Sequence, residues 1–179
     1  MRDEWELAAE PLHCIAEAVD TVHTTLSLGG KRPTPAEAAA IRAATVRAVG
    51  PGLGFGLDLV RRTGVPQGLV ACAHGGTSMA QWSPKLKKLG GASLYGAMLR
   101  RYRKLGQPIA GMLWYQGCSE TRPDRPMIAT YTRDMKRLVA AVRRDFRLPR
   151  LPWAIVQIGR VLGRSGKAAE YWNAIQEQQ

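Results

Sequence analysis

Two short stretches carry residues whose types and order suit carbonyl chemistry. One is His74-Gly75-Gly76-Thr77 and the other is Gln116-Gly117-Cys118-Ser119-Glu120. Glycines leave backbone N–H groups unshielded, and such an N–H at a strand end is a ready donor to a developing oxyanion. The side-chain amide of Gln116 is a second donor of the same kind. Gly75, Gly76 and Gln116 therefore form a candidate oxyanion hole, which implies acyl transfer, a nucleophile and a base. The plain alternative is a turn at Gly75-Gly76 and a strand cap at Gln116.

Two residues beside these loops are candidate nucleophiles. Ser78 follows the glycine pair, and His74 lies four residues before it. A working pair must stand within about 3 Å, so a structural serine and a loop histidine is the simpler reading. Cys118 as a thiol nucleophile needs a nearby cation or helix N-terminus to lower its pKa, and nothing in the sequence places one there.

The loops need elements to hold them. Apolar runs at Gly68–Ala73, Ile109–Tyr115 and Trp153–Ile158 read as buried strands. Between them, "SLYGAMLRRYRKLG" and "MIATYTRDMKRLVAAVRRDF" show helical spacing, and "KAAEYWNAIQEQQ" follows as a last helix. Strand and helix in alternation predict an α/β fold with a parallel sheet covered on both faces, carrying its site on loops at the carboxyl ends of strands. Upstream, Thr34, Pro35 and Glu37 mark a helix start that runs to Gly50, and the glycines of "GPGLGFGLDLVRRTG" suit a helix from about Leu53 to Arg62 packed closely on a sheet. That series has no following Lys-Ser/Thr and is not a phosphate loop.

The chain has 179 residues, enough for one domain over 1–179. Three cysteines, with no C-x-x-C, argue against a disulfide framework and a zinc site, and Cys14 and Cys72 read as core residues. The net charge of +12 raises nucleic acid as a partner. The bases are spread out, no aromatics interleave at stacking intervals, and the clusters read as solvated helix faces. No stretch is long enough to span a membrane, and "MRDEWELAAEP" lacks the apolar core of a signal peptide. Localisation and oligomeric state stay open.

Residues Trp5 to Gln179 resemble the sialate O-acetylesterase family, serine esterases of SGNH type related to carbohydrate esterase family 6. The resemblance rests on "GPGLGFGLDLVRRTGVPQGLVACAHGGTSMAQWSP", "GMLWYQGCSE", "LPWAIVQIG" and "YWNAIQEQQ". It implies a flavodoxin-like three-layer α/β/α fold, hydrolysis of acetyl esters on sugars, and no metal or organic cofactor. It also implies that Gly75 and Gly76 supply an oxyanion N–H, that Gln116 completes the hole, and that His74, Thr77, Gly117 and Glu120 border the substrate. Trp82 matches a family tryptophan expected to pack the loop. The family commonly has Gly-Glu-Ser after the glutamine; here Cys118 takes the glutamate position, and Glu120 is a weak substitute for a carboxylate thought to orient the catalytic histidine. The family's Gly-Gln-Ser nucleophile block does not occur, and no histidine follows His74 to fill the Asp-x-x-His block expected near the C-terminus.

A partial esterase domain, inactive alone on aryl acetates, is therefore the expectation, with acetylated carbohydrate as substrate and export of the full-length protein in view. A non-catalytic sugar- or partner-binding protein of the same fold is the alternative, and a basic nucleic-acid-binding module ranks behind both.

Overall fold

The computed structural model of the chain describes residues 5–44, 49–122, 127–163 and 165–179. It divides into two compact units, 1–74 and 75–179.

The first unit is helical. A short 3-10 turn at Ile15–Glu17 precedes helix α1 (Thr21–Ser27), then α2 (Pro35–Ala44) and α3 (Pro51–Thr63). The capping box of α2 forms as its sequence predicts. The Thr34 N–H donates to Glu37 Oε2 at 2.7 Å, and the Glu37 N–H donates back to Thr34 Oγ1 at 3.3 Å. The Thr34 N–H and the Thr34 hydroxyl, both donating to Glu37 Oε2, hold the Glu37 carboxyl below its ordinary range. The expected run of this helix to Gly50 passes through 45–48, outside the described residues. Thr34→Ala is expected to cost about 1 kcal/mol of local stability, read as faster amide exchange across 35–44 with little change elsewhere.

Helix α3 covers the predicted 53–62 and packs closely, though not on a sheet. A Cβ on Gly56 would meet the Leu69 side chain at 3.3 Å. Leu69 lies in the run Gly68–Ala73, which is not a strand, contrary to its apolar pattern. Within this run Val70 is 41% exposed. The physical reason is that apolar composition favours burial, whereas a strand is defined by a ladder partner; the ladder among the described residues joins two other segments.

Those segments lie in the second unit. Strands β1 (Met112–Tyr115) and β2 (Trp153–Val156) pair in parallel, with Met112 opposite Trp153 and Tyr115 opposite Val156. Both fall inside their predicted runs; β1 is shorter at its amino end and β2 at its carboxyl end. Around them stand α4 (Leu94–Leu105), α5 (Tyr131–Asp145) and α6 (Lys167–Gln178). Gly106 ends α4 in the left-handed conformation.

The apolar faces of these elements supply the core: Leu94, Tyr95 and Leu99 from α4, Trp114 from β1, Leu138 and Val142 from α5, Trp172 and Ile175 from α6. Most bases of the clusters are exposed as expected, but Arg100, Arg101 and Arg143 are half-buried, and Arg143 donates to Leu151 O; Lys87 pairs with Asp145 at 3.3 Å. Cys14 and Cys72 are half-buried rather than core, and Cys118 is exposed. The fold is mixed α/β with a small parallel sheet. Among the described residues, no helix is long and apolar enough to cross a membrane.

Candidate active site

Strand β1 delivers Gln116 at its carboxyl end, and the chain turns sharply there. Gly117 takes φ +147, a conformation that L side chains rarely adopt, and is packed beneath Ile158, Ile175 and Gln179. A 3-10 turn, Cys118–Thr121, follows immediately.

The turn buries Glu120 completely. Its Oε1 accepts the Met79 N–H at 2.6 Å, and its Oε2 accepts the Gln116 amide. Desolvation raises its pKa above the ordinary carboxylate range, while the bonds from Met79 and Gln116 oppose the rise. Gln116 Nε2 also donates to Thr77 O at 3.1 Å. The loop after the glycine pair and the end of β1 are thus tied together by two hydrogen bonds, to Gln116 and Glu120, which are themselves bonded to each other.

The loop 75–82 is braced from within as well. Trp82 Nε1 donates to Thr77 Oγ1 at 3.0 Å, and the Trp82 ring meets Trp114 edge-on at 5.3 Å. Trp82 is 4% exposed, so it packs the loop as the resemblance implies. Gly76 sits at φ +70 with open space where a side chain would be, and Gly75 is equally uncrowded. On the other side of β1, the Gln116 carbonyl accepts from Tyr131 Oη at 3.0 Å and from Gln179 Nε2 at 2.5 Å. Burial pushes the Tyr131 hydroxyl above its ordinary pKa, keeping it a neutral donor.

A pocket of about 370 Å³ opens between the two loops, lined by Gly76, Ser78, Gln81, Ser119, Arg122 and Met127 with Ala80 at its edge. Of the residues picked out from sequence, Gly76 faces it directly. Gln116 stands beside it with both amide hydrogens engaged, and its Oε1 is buried with no hydrogen-bond partner. Thr77, Gly117 and Glu120 are buried behind the lining. Ser78 lines the pocket, but its hydroxyl donates to Gln81 Oε1 at 3.2 Å.

His74 belongs to the first unit. One ring nitrogen, Nδ1, bonds His23 Nδ1 at 2.9 Å, and the other, Nε2, bonds Ser27 Oγ at 3.0 Å. Neither nitrogen is left for Ser78, so the Ser78–His74 pairing weighed from sequence gives way to a different serine. Sequence spacing could not have found Ser27, which lies 47 residues from its partner. Gln81, Arg122 and Met127 were likewise missed, since no local pattern sets them apart. Among the described residues, no group of three or more His, Cys, Asp or Glu stands ready to hold a metal ion.

The family model for carbohydrate esterases, described as sialic acid-specific acetylesterases, matches residues 1–179. The chain belongs to this family. It is 34% identical over 165 residues to the probable carbohydrate esterase At4g34215 of Arabidopsis thaliana, an alignment covering 89% of this chain and 50% of the relative. A crystal structure of the Arabidopsis thaliana protein superposes with a TM-score of 0.60 at 34% identity, over 76% of this chain and 52% of the other. The chain spans about half the length of the relative it matches.

Proposed function

We propose that this chain forms the oxyanion-bearing part of a carbohydrate O-acetylesterase, with the pocket lined by Gly76, Ser78, Gln81, Ser119, Arg122 and Met127 receiving an acetylated sugar. The observation that carries the reading is the joining of the Gly76 loop to the Gln116 strand end around an open pocket, in a chain of a carbohydrate esterase family. A volume of about 370 Å³ lies at the small end of ligand sites and suits an acetyl group with part of one sugar ring. Ser119, Gln81 and Arg122 supply polar partners for sugar oxygens. The three-layer α/β/α arrangement of SGNH esterases is part of the same proposal.

The roles divide by burial. Backbone N–H groups at Gly75 and Gly76 serve the oxyanion. Gln116 braces the loop and can turn an amide hydrogen to the oxyanion only by releasing Thr77 O or the Glu120 carboxyl. Glu120 and Trp82 hold that geometry from behind. A Gly-Gln-Ser nucleophile and a C-terminal Asp-x-x-His, on the family pattern, complete the machinery. The chain alone is therefore inactive on acetylated sugars.

Acetate release from O-acetylated sialic acid tests this. The purified chain should show none above background. Joined to segments bearing the family's serine and histidine blocks, it should turn over, and Gly76→Val, strained at φ +70 so that its N–H shifts off the oxyanion, should lower kcat by about a hundredfold, the scale of one lost oxyanion donor. Full activity in Gly76→Val with an unchanged fold would rule the pocket out.

A further inference from the structure

The first unit gathers the chain's three histidines. His13 Nε2 bonds Ala73 O at 3.0 Å, while His23 and His74 bond each other and His74 bonds Ser27. The His23 and His74 rings are nearly parallel, 18° apart, with centroids separated by 5.1 Å. With a nitrogen–nitrogen contact of 2.9 Å, that is an edge-to-edge N–H···N bond. His23 is 1% exposed and His74 8%, whereas Ser27, at the last position of α1, is exposed.

The three side chains form a line from solvent to interior: hydroxyl, imidazole, imidazole. One proton lies in the bond between the two Nδ1 atoms. When His74 carries it, His74 Nε2 is the acceptor and Ser27 Oγ–H the donor. His23 Nδ1 then holds the His74 ring in that tautomer, the part a carboxylate plays in a serine–histidine–carboxylate triad. Burial and the neighbouring His13 push His74 below its ordinary pKa, so its imidazole is neutral at neutral pH and has a lone pair to accept a proton. Beyond Ser27 the chain leaves an open approach: Gly29 and Gly30 sit at φ +61 and +84, with nothing near their missing side chains.

We infer that Ser27, His74 and His23 are a nucleophile, a base and a positioning residue, and that Ser27 takes acyl groups from small activated esters. In the step, Ser27 Oγ bonds to the ester carbonyl carbon while His74 Nε2 takes the hydroxyl proton. The tetrahedral adduct collapses, the bond from carbon to the leaving oxygen breaks, and the leaving group departs as an alkoxide or phenolate, or takes the proton back from His74. The product is acyl-Ser27. This goes beyond the pocket around Gly76, rests on other residues, and departs from the sequence expectation that the chain alone is inactive on aryl acetates. Acetate release from sugars tests that pocket, whereas the position of a covalent adduct tests Ser27.

The experiment treats the full chain with 4-nitrophenyl acetate and follows nitrophenolate release and the acetylated peptide by mass spectrometry. An early burst approaching one nitrophenolate per chain, with acetyl on Ser27, is expected. Ser27→Ala should abolish the burst. His74→Gln should slow it by about a hundredfold, the usual worth of a positioned general base, and His23→Gln should slow it less. Acetyl only on other residues, or Ser27 acetylated as fast in His74→Gln as in the parent, overturns the assignment. Because His74 is buried and His74→Gln can fail to fold, Ser27→Cys gives an independent reading at an exposed position. A thiol beside that imidazole should react with iodoacetamide at pH 6 at least about tenfold faster than exposed Cys118. Equal rates would overturn it as well.

Discussion

Glu120→Ala is expected to destabilise the second unit by about 3 kcal/mol. Two buried donors, the Met79 N–H and the Gln116 amide, lose their acceptor. A buried donor without a partner costs about 1–3 kcal/mol, and the cavity left by the missing side chain adds to this. Relief from burying a carboxylate offsets part of the loss. Tryptophan fluorescence through a urea titration checks it, since Trp82 and Trp114 pack beside the affected loop. A loss below about 1 kcal/mol would mean that the loop relaxes and its tie to Glu120 is dispensable.

The same residue gives a pH signature. Burial raises the Glu120 pKa from the model-compound value of 4.5, so the folded chain holds this proton more tightly than the unfolded chain. The stability this group contributes is full below about pH 4.5 and is lost as pH rises through the folded pKa. Glu120→Gln removes that slope. The parent's stability relative to Glu120→Gln should be greatest in acid and should shrink toward neutrality; the opposite trend would show a carboxyl held ionised by its donors.

Gly117→Ala is expected to cost a similar amount, about 3 kcal/mol, by a different route. At φ +147 an L residue is strained, which costs about 1–3 kcal/mol. The new methyl would also stand 2.9 Å from Ile175 Cγ2 and from Gln179 Nε2, and 3.3 Å from Ile158 Cγ2. Overpacking of this kind costs about 1–3 kcal/mol. Gln179 is displaced in the process, and with it one of the two donors to the Gln116 carbonyl. Thermal unfolding measures the loss. Gln179→Ala should recover part of it in the double variant, because the two residues compete for one space; strictly additive losses would place the strain in the backbone alone.

The sequence made the elements of the second unit legible because each is encoded locally. Helix α5 carries apolar residues at Met135, Leu138 and Val142 on one face and bases on the other, and α4 ends where Gly106 permits the left-handed turn. Strands β1 and β2 lie inside apolar runs that helices separate. The family was legible too, in the Gly-Gly-Thr and Trp-Tyr-Gln-Gly loops. The run Gly68–Ala73 misled for a physical reason: its composition reports a wish for burial and says nothing of a partner strand.

What the sequence by itself determined is therefore the local grammar: helices by periodicity and caps, strand candidates by apolar runs, and two glycine-bearing loops that mark the family. What only the tertiary structure decided is which side chains meet. Glu120 looks like a surface carboxylate after a serine, yet it is fully buried and binds Met79, 41 residues away. His74 looks like a loop residue beside Ser78, yet its two nitrogens go to His23 and Ser27. Hydrogen bonds are satisfied in space, and a buried polar group takes whichever partner the packing of distant segments brings within 3 Å.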